Sequence, residues 1–472
     1  MSDFIPPFPP RLKAPPSILE LLRSRTLDFL SIWEEKAFEH QTMSMQLLAR
    51  QIFICNSPDS VHHAFIAQAE SFERKSPQMR NALSPLLGDG LFISDGETWR
   101  RRRRMVAPIL HTRHLGQFTS VMVGTASELA DQWAALPPNS TVDVLKAMAQ
   151  LTAEIIGRTI FGQTIGAART REVVEAFSEY QKHADQRDLV SLLGLPSFFP
   201  RRRSGQTARS AARIHAILDE VIAELRIAGA ADSVVSLLMR EEDGTLDTAA
   251  LRNEAAVLFM AGHETTANCL AWAWYLLSQA PAVEARLHLE LDAVLGERLP
   301  TLADVPRLVY TRAIIEETLR LYPPVPLLAR EAAREDVIRG RRVKAGALVI
   351  VVPWLLHRHR LYWRNPDHFM PERFLPGSSD APVKYTYVPF SIGPRTCAGL
   401  SFGLTEAIVC LATLARLVTL RLAPGAVVRP VCHLTLRPGD HLPMVVSARQ
   451  AGPAGMERSA AAPLLRCPVA HG

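Results

Sequence analysis

Cysteine is scarce in this 472-residue chain: six residues, at positions 55, 269, 397, 410, 432 and 467, share no spacing of a disulfide framework or a zinc site. Their scatter predicts a reducing, cytoplasmic setting. The longest apolar runs, Ala347 to Leu356 and Ala407 to Ala415, fall short of the roughly 18 residues that cross a bilayer, so no transmembrane segment is expected. Met1 to Pro16 carries six prolines where a secretory signal needs an apolar core, and no signal peptide is expected either. Lysine is scarce for its charge class: only seven of the 53 basic residues. The net charge of +6 is mild and not concentrated enough to point to nucleic acid. Internal repeats are absent. With 48% hydrophobic and 21% charged residues the composition excludes disordered and fibrous classes for the bulk of the chain.

What is present is helical periodicity. Apolar residues recur at three- and four-residue spacing around 114–135, 144–161, 205–227, 248–278 and 307–321, which predicts a mainly α protein with small β-sheets. Strand patterns are short: Gln51 to Cys55, then Arg341 to Val343 and Ala347 to Val352, separated by Ala345-Gly346 as if by a hairpin turn. Ser57-Pro58-Asp59 has the form of a helix start. Residues 1–40 form a proline-rich N-terminal segment, and 451–472, rich in Ala, Pro and Gly without periodicity, is expected to be a loose tail.

The longest predicted helix, Thr248 to Ser278, would span about 46 Å at 1.5 Å per residue. Its middle, Ala261-Gly262-His263-Glu264-Thr265-Thr266, places glycine, an acid and two β-branched hydroxyl residues where helix propensity favours Ala or Leu. Either the stretch is functional, or it is an ordinary weak turn whose threonines bond back to preceding carbonyls.

The strongest signal is Phe390-Ser391-Ile392-Gly393-Pro394-Arg395-Thr396-Cys397-Ala398-Gly399, followed at once by a helical stretch, Leu400 to Val418. A cysteine before a helix start meets backbone N–H groups that favour a thiolate. Gly393 permits a tight turn, Gly399 leaves room for a flat group against the backbone, and Arg395 offers donors to a carboxylate. This suits a thiolate ligating haem iron. At average residue usage, Phe390, Gly393, Arg395, Cys397 and Gly399 would meet at this spacing in on the order of one such chain in ten thousand. For Cys55, Cys269, Cys410 and Cys432 an inert buried thiol suffices.

A second element, Glu316-Glu317-Thr318-Leu319-Arg320-Leu321-Tyr322-Pro323-Pro324, ends a helix on two prolines. Glu317 and Arg320 share a face, which by itself could be no more than a surface ion pair. Pro371-Glu372-Arg373-Phe374 then supplies an arginine able to meet Glu317 if the pair is buried.

In this order the three elements resemble the cytochrome P450 superfamily of haem-thiolate monooxygenases, over roughly residues 40–450. The resemblance implies a single haem domain in 1–450, with haem b between the long distal helix (248–278) and the cysteine loop with its proximal helix (390–418). It implies Cys397 as iron ligand, Glu317, Arg320 and Arg373 as a buried structural triad, and Ala261 to Thr266 as the oxygen-activating turn, where Thr265 holds dioxygen and Glu264 relays protons. Trp99 and Arg103 match the family's Trp-x-x-x-Arg near a haem propionate, and Arg330 sits where relatives often place another propionate arginine. His263 departs from nothing fixed and is expected to point away from the haem. Val257, Ala261, Val325 and Leu327 are expected to line an apolar substrate pocket.

The resemblance further implies insertion of one oxygen atom from O2 into a C–H bond or double bond of an apolar small molecule. Two electrons would come from a separate acidic electron-transfer protein, of ferredoxin or flavodoxin type, with its reductase. Of Arg100 to Arg104, one should face haem and the rest should be solvated, as a plain polar face or a docking surface for that donor. Leu189 to Phe199 with Arg201 to Arg203 falls where the family's substrate lid lies, and membrane contact is the alternative. The competing class of function is a haem-thiolate sensor without turnover, which would not need Glu264 and Thr265.

Overall fold

A computed structural model of the chain describes residues 4–14, 29–183, 205–228, 233–241, 247–432 and 434–449. The expected lid at 189–203 and the tail beyond 450 lie outside them. Among the described residues the α-helices are α1 (Pro58–His62), α2 (Pro77–Leu87), α3 (Gly96–Ile109), α4 (Thr112–Ala134), α5 (Val144–Phe161), α6 (Gly166–His183), α7 (Gly205–Ala228), α8 (Val234–Glu241), α9 (Thr248–Gln279), α10 (Pro281–Val294), α11 (Val309–Leu321), α12 (Pro353–Leu356) and α13 (Leu400–Leu417). The strands are β1 (Thr42–Leu47), β2 (Arg50–Cys55), β3 (Arg74–Lys75), β4 (Thr141–Asp143), β5 (Leu328–Glu331), β6 (Asp336–Ile338), β7 (Arg341–Val343), β8 (Leu348–Val351), β9 (Val418–Leu422), β10 (Val431–Cys432), β11 (Leu436–Arg437) and β12 (Pro443–Ala448).

Local chemistry accounts for the helix starts. Ser57 and Ser60 form a reciprocal capping box with Pro58 in the first turn of α1, as its sequence predicts. Asp247 caps α9 by accepting the Ala250 N–H at 2.6 Å. From there α9 runs unbroken for 32 residues, about 48 Å. It is buried on nearly all sides and packs on α5, α7, α11 and α13, which is why it lacks a polar stripe. The other helix of the site, α13, packs on α4. Among the described residues it alone is long and apolar enough to cross a membrane, yet 67% of it is buried inside the protein. It stops at Leu417, one residue before the expected end, because Val418 already pairs with Ala448 in the sheet β4-β12-β9.

The larger sheet has the order β1-β2-β8-β5-β3, with β2 and β8 parallel and the other pairs antiparallel. The expected hairpin between Arg341–Val343 and Ala347–Val352 is not formed. β7 pairs instead with β6 across Arg339 and Gly340, whose φ values of 49° and 73° give the tight turn a two-residue hairpin needs. β8, buried at all four positions, departs to the middle of the larger sheet, where an all-apolar strand belongs. That sheet brings Lys75 of β3 directly opposite Arg330 of β5.

Candidate active site

The loop before α13 holds its shape through its own backbone: the Cys397 N–H donates to the Phe390 carbonyl at 2.9 Å and the Thr396 N–H to Gly393 at 3.0 Å. Gly393 has φ 73°, and a Cβ there would run into the Phe65 carbonyl. Gly399 caps α13, and a Cβ on it would meet nothing closer than 4.0 Å, the Cys397 sulfur and Leu110, so the space beside the loop is open. Cys397 is the one exposed cysteine among the described residues; Cys55, Cys269 and Cys410 are buried and Cys432 is intermediate. Burial pushes Cys55 and Cys269 up to about 12. The protein around Cys397 also raises its pKa, but the Gly399 amide, Arg103 and Lys75 pull it back toward the thiolate.

Beside the loop lies a group of cations with too few anions. Arg395 donates to the Ser94 carbonyl at 2.8 Å and to Asp95 at 3.0 Å, and its guanidinium stacks 4.4 Å from the Trp99 ring. Burial, with Arg80 and Arg100 nearby, lowers Arg395 to about 10. Arg330, 4% exposed, makes its hydrogen bond to the carbonyl of Ala329 and is pushed down to about 9 by burial and by Arg395. Lys75 is buried as well, and burial, Arg330 and Arg395 hold it well below the usual lysine range. Arg103, half-buried, is lowered by burial and raised by Cys397. Like charges facing each other across strands destabilise unless an anion joins them. The donor set suits a flat dianion: Lys75, Arg330, Arg395 and Arg103 would hold its two carboxylates, and Cys397, close enough to act on Arg103, would supply the thiolate. Haem meets that description. Sequence reasoning missed Lys75, since its position opposite Arg330 is set by strand pairing across most of the chain.

On α9, Ala261 is the single exposed residue between Leu251 and Gln279, in line with Val257, buried, and Thr265, half-buried. The Ala261 side of α9 is therefore open rather than packed. Gly262 faces the other way, where a Cβ would meet Ile156 of α5 at 2.6 Å. His263 is buried between Phe177 and Phe259, with ring centroids at 5.3 and 5.4 Å, away from the Ala261 side. The Thr265 hydroxyl donates to the Ala261 carbonyl at 2.7 Å, the back-bond that the sequence left open as its alternative. Glu264 accepts from Gln181 of α6 and from the Thr435 hydroxyl at 2.7 Å, while Asn268 donates to Thr435 at 2.9 Å. Val325 and Leu327, half-buried, follow α11 on the way to β5.

Glu317, Arg320 and Arg373 all have fully buried side chains. Arg320 grips Glu317 with two bonds of 2.6 and 2.7 Å, and Arg373 approaches it at 3.4 Å. The pair that reaches solvent is instead the exposed Arg312 with the partly buried Glu316, at 3.0 Å. The arginine run needs correction: Arg102 is not solvated but 1% exposed, and Arg100 and Arg104 pair with Glu73 and Glu97 at 3.0 Å. The freely solvated face shrinks toward Arg101 because α3 turns one of five consecutive residues inward whatever its charge.

A thiol exposed just before a helix start, a buried cationic rim and an α9 that is exposed at Ala261 are what a haem-thiolate site needs. The cytochrome P450 family model matches residues 6–439. The chain is 32% identical over 403 residues to cyclooctatin synthase of Streptomyces melanosporofaciens, covering 84% of this chain and 86% of that one. It is 34% identical over 369 residues to cyclooctat-9-en-7-ol 5-monooxygenase of the same organism, covering 77% and 79%. The crystal structure of the cytochrome P450DA heme domain shares the fold, with TM-score 0.80 and 24% identity over 95% of this chain and 99% of that one. The chain belongs to the cytochrome P450 family and is a haem-thiolate monooxygenase that uses O2, a small-molecule substrate and a redox partner.

Proposed function

We propose that residues 1–450 act as one haem domain that oxidises a C–H bond or double bond of an apolar molecule, with Cys397 as the iron ligand. The observation that carries this reading is the exposed Cys397 thiol at the start of α13 beside the Lys75, Arg330 and Arg395 cations. Those cations with Arg103 and Trp99 hold the propionates. When bound, the haem supplies the iron at which dioxygen is reduced by two electrons and its O–O bond cleaved.

The chain's own part is to exclude water and move protons. Val257, Ala261, Val325 and Leu327 offer no partner for a buried ion, so the pocket takes a hydrocarbon-like reacting end. A relative named as a monooxygenase of cyclooctat-9-en-7-ol supports an apolar substrate. Thr265 turns its hydroxyl from the Ala261 carbonyl toward dioxygen, and Glu264 passes protons to it from the Gln181 and Thr435 side. Electrons arrive from an acidic protein of ferredoxin or flavodoxin type, which the exposed Arg101 side of α3 attracts, more weakly than five free arginines would.

Thr265→Ala tests the proton assignment. The variant should bind haem and substrate like the parent, yet lose about tenfold in product, the equivalent of one hydrogen bond of about 1.4 kcal/mol, and release hydrogen peroxide instead. The check is product against NADH consumed with a surrogate ferredoxin and reductase; equal coupling in both proteins removes Thr265 from the proton path. Ala261→Phe tests the pocket: it should block 4-phenylimidazole from the iron and still admit carbon monoxide, read from the haem spectrum.

A further inference from the structure

Arg102, the arginine that α3 turns inward, meets two carboxylates. Its Nε lies 3.3 Å from Glu254 of α9, which is 0% exposed, and its NH2 group lies 3.2 and 3.3 Å from the two oxygens of Asp89. Glu254 accepts the backbone N–H of Leu91 with both oxygens, at 3.0 and 3.2 Å. Asp89 also accepts from Asn253 of α9 at 3.1 Å. The segment between α2 and α3 is thus tied at residues 89 and 91 to the early turns of α9.

Between those ties sits Gly90, where a Cβ would meet the Val257 side chain at 2.7 Å. The segment's backbone therefore lies against the same face of α9 that carries Ala261 and Thr265. Two residues on, Phe92 has the Lys75 ammonium 4.5 Å from its ring centroid. One short segment bridges the pocket face of α9 and the cationic rim. Stability alone gives no reason for this chemistry, because a buried ion pair can usually be replaced by packed apolar side chains at no loss. What the charges add is direction: a carboxylate held by Arg102 fixes one particular backbone amide, which apolar packing cannot do.

We propose that Arg102, Glu254 and Asp89 form a latch that holds residues 88–92 as a wall of the substrate pocket and thereby sets which bulky ligands reach the iron. They are positioning residues, and the proposal rests on the reading of Val257 and Ala261 as pocket wall. The test uses haem-loaded protein carrying Glu254→Gln or, at the half-exposed partner whose replacement leaves the core intact, Asp89→Asn. Hydrogen exchange of the peptide containing Leu91 and spectral titration with imidazole and 4-phenylimidazole are measured together.

Both variants should speed exchange at Leu91, about tenfold for Glu254→Gln, with the peptide around Leu270 unchanged. Both should tighten 4-phenylimidazole by about fivefold or more relative to imidazole, which is small enough to ignore the wall. Unchanged exchange at Leu91 in both variants overturns the latch. Faster exchange with an unchanged ratio of the two affinities also overturns it when Ala261→Phe does alter that ratio. If Ala261→Phe leaves the ratio unchanged as well, the pocket reading beneath the proposal is what fails.

Discussion

Cys397→His should abolish the strongly red-shifted Soret band of the ferrous carbonyl complex and reduce monooxygenase turnover to background. The band reports a thiolate among the ligands of the iron, and a neutral imidazole would not push electron density toward the metal as sulfur does. No other described cysteine can stand in. Cys55, Cys269 and Cys410 are buried, and their thiols are held strongly protonated by that burial. Cys432 is only partly buried, but it lies in β10, without a helix start to favour a thiolate. Haem retention should survive in part, because the cations Lys75, Arg330, Arg395 and Arg103 are untouched. A carbonyl complex of the variant that keeps the red-shifted band would show that the iron is held elsewhere.

The cysteine loop was legible from sequence because five residue identities within ten positions carry their chemistry locally: a turn, a thiol, a helix start. The long helices were legible for the same reason, since periodicity and caps are near-neighbour properties. What escaped depends on partners far away along the chain. Nothing in Arg74-Lys75, a two-residue strand, announces that β5 will set Arg330 opposite it. Five consecutive arginines carry no internal mark of which one faces inward; Glu254 and Asp89 decide that, from another helix and a loop. Glu264 was picked out by its place in the distal turn, but the side chains that anchor it, Gln181 of α6 and Thr435 just before β11, have no sequence signal of their own. The failed hairpin follows the same rule, because Ala345-Gly346 does turn the chain, and only the burial of all four residues of β8 sends the next strand to another sheet.

Glu317→Gln should be the most damaging single change to stability. The Glu317 carboxylate takes two bonds from Arg320, faces Arg373, and accepts the Met370 N–H at 2.8 Å, all without contact with water. An amide in its place keeps one acceptor and leaves two buried guanidinium groups without a counter-charge. Breaking a buried pair by removing one partner costs about 3–5 kcal/mol, a large share of the 5–15 kcal/mol that typically holds a domain folded. The loss should spread to the site, because Arg320 also ties down the carbonyls of His357, Pro366 and His368, in the stretch that leads to the cysteine loop. Urea unfolding followed by fluorescence, with haem content measured alongside, checks this. The neighbouring Glu316→Gln is the control: its partner Arg312 is 56% exposed, and that pair should be worth about 1 kcal/mol or less. Equal destabilisation by the two substitutions would mean that the triad is not what holds this end of α11, and that the chain from His357 to Arg373 keeps its course by apolar packing alone.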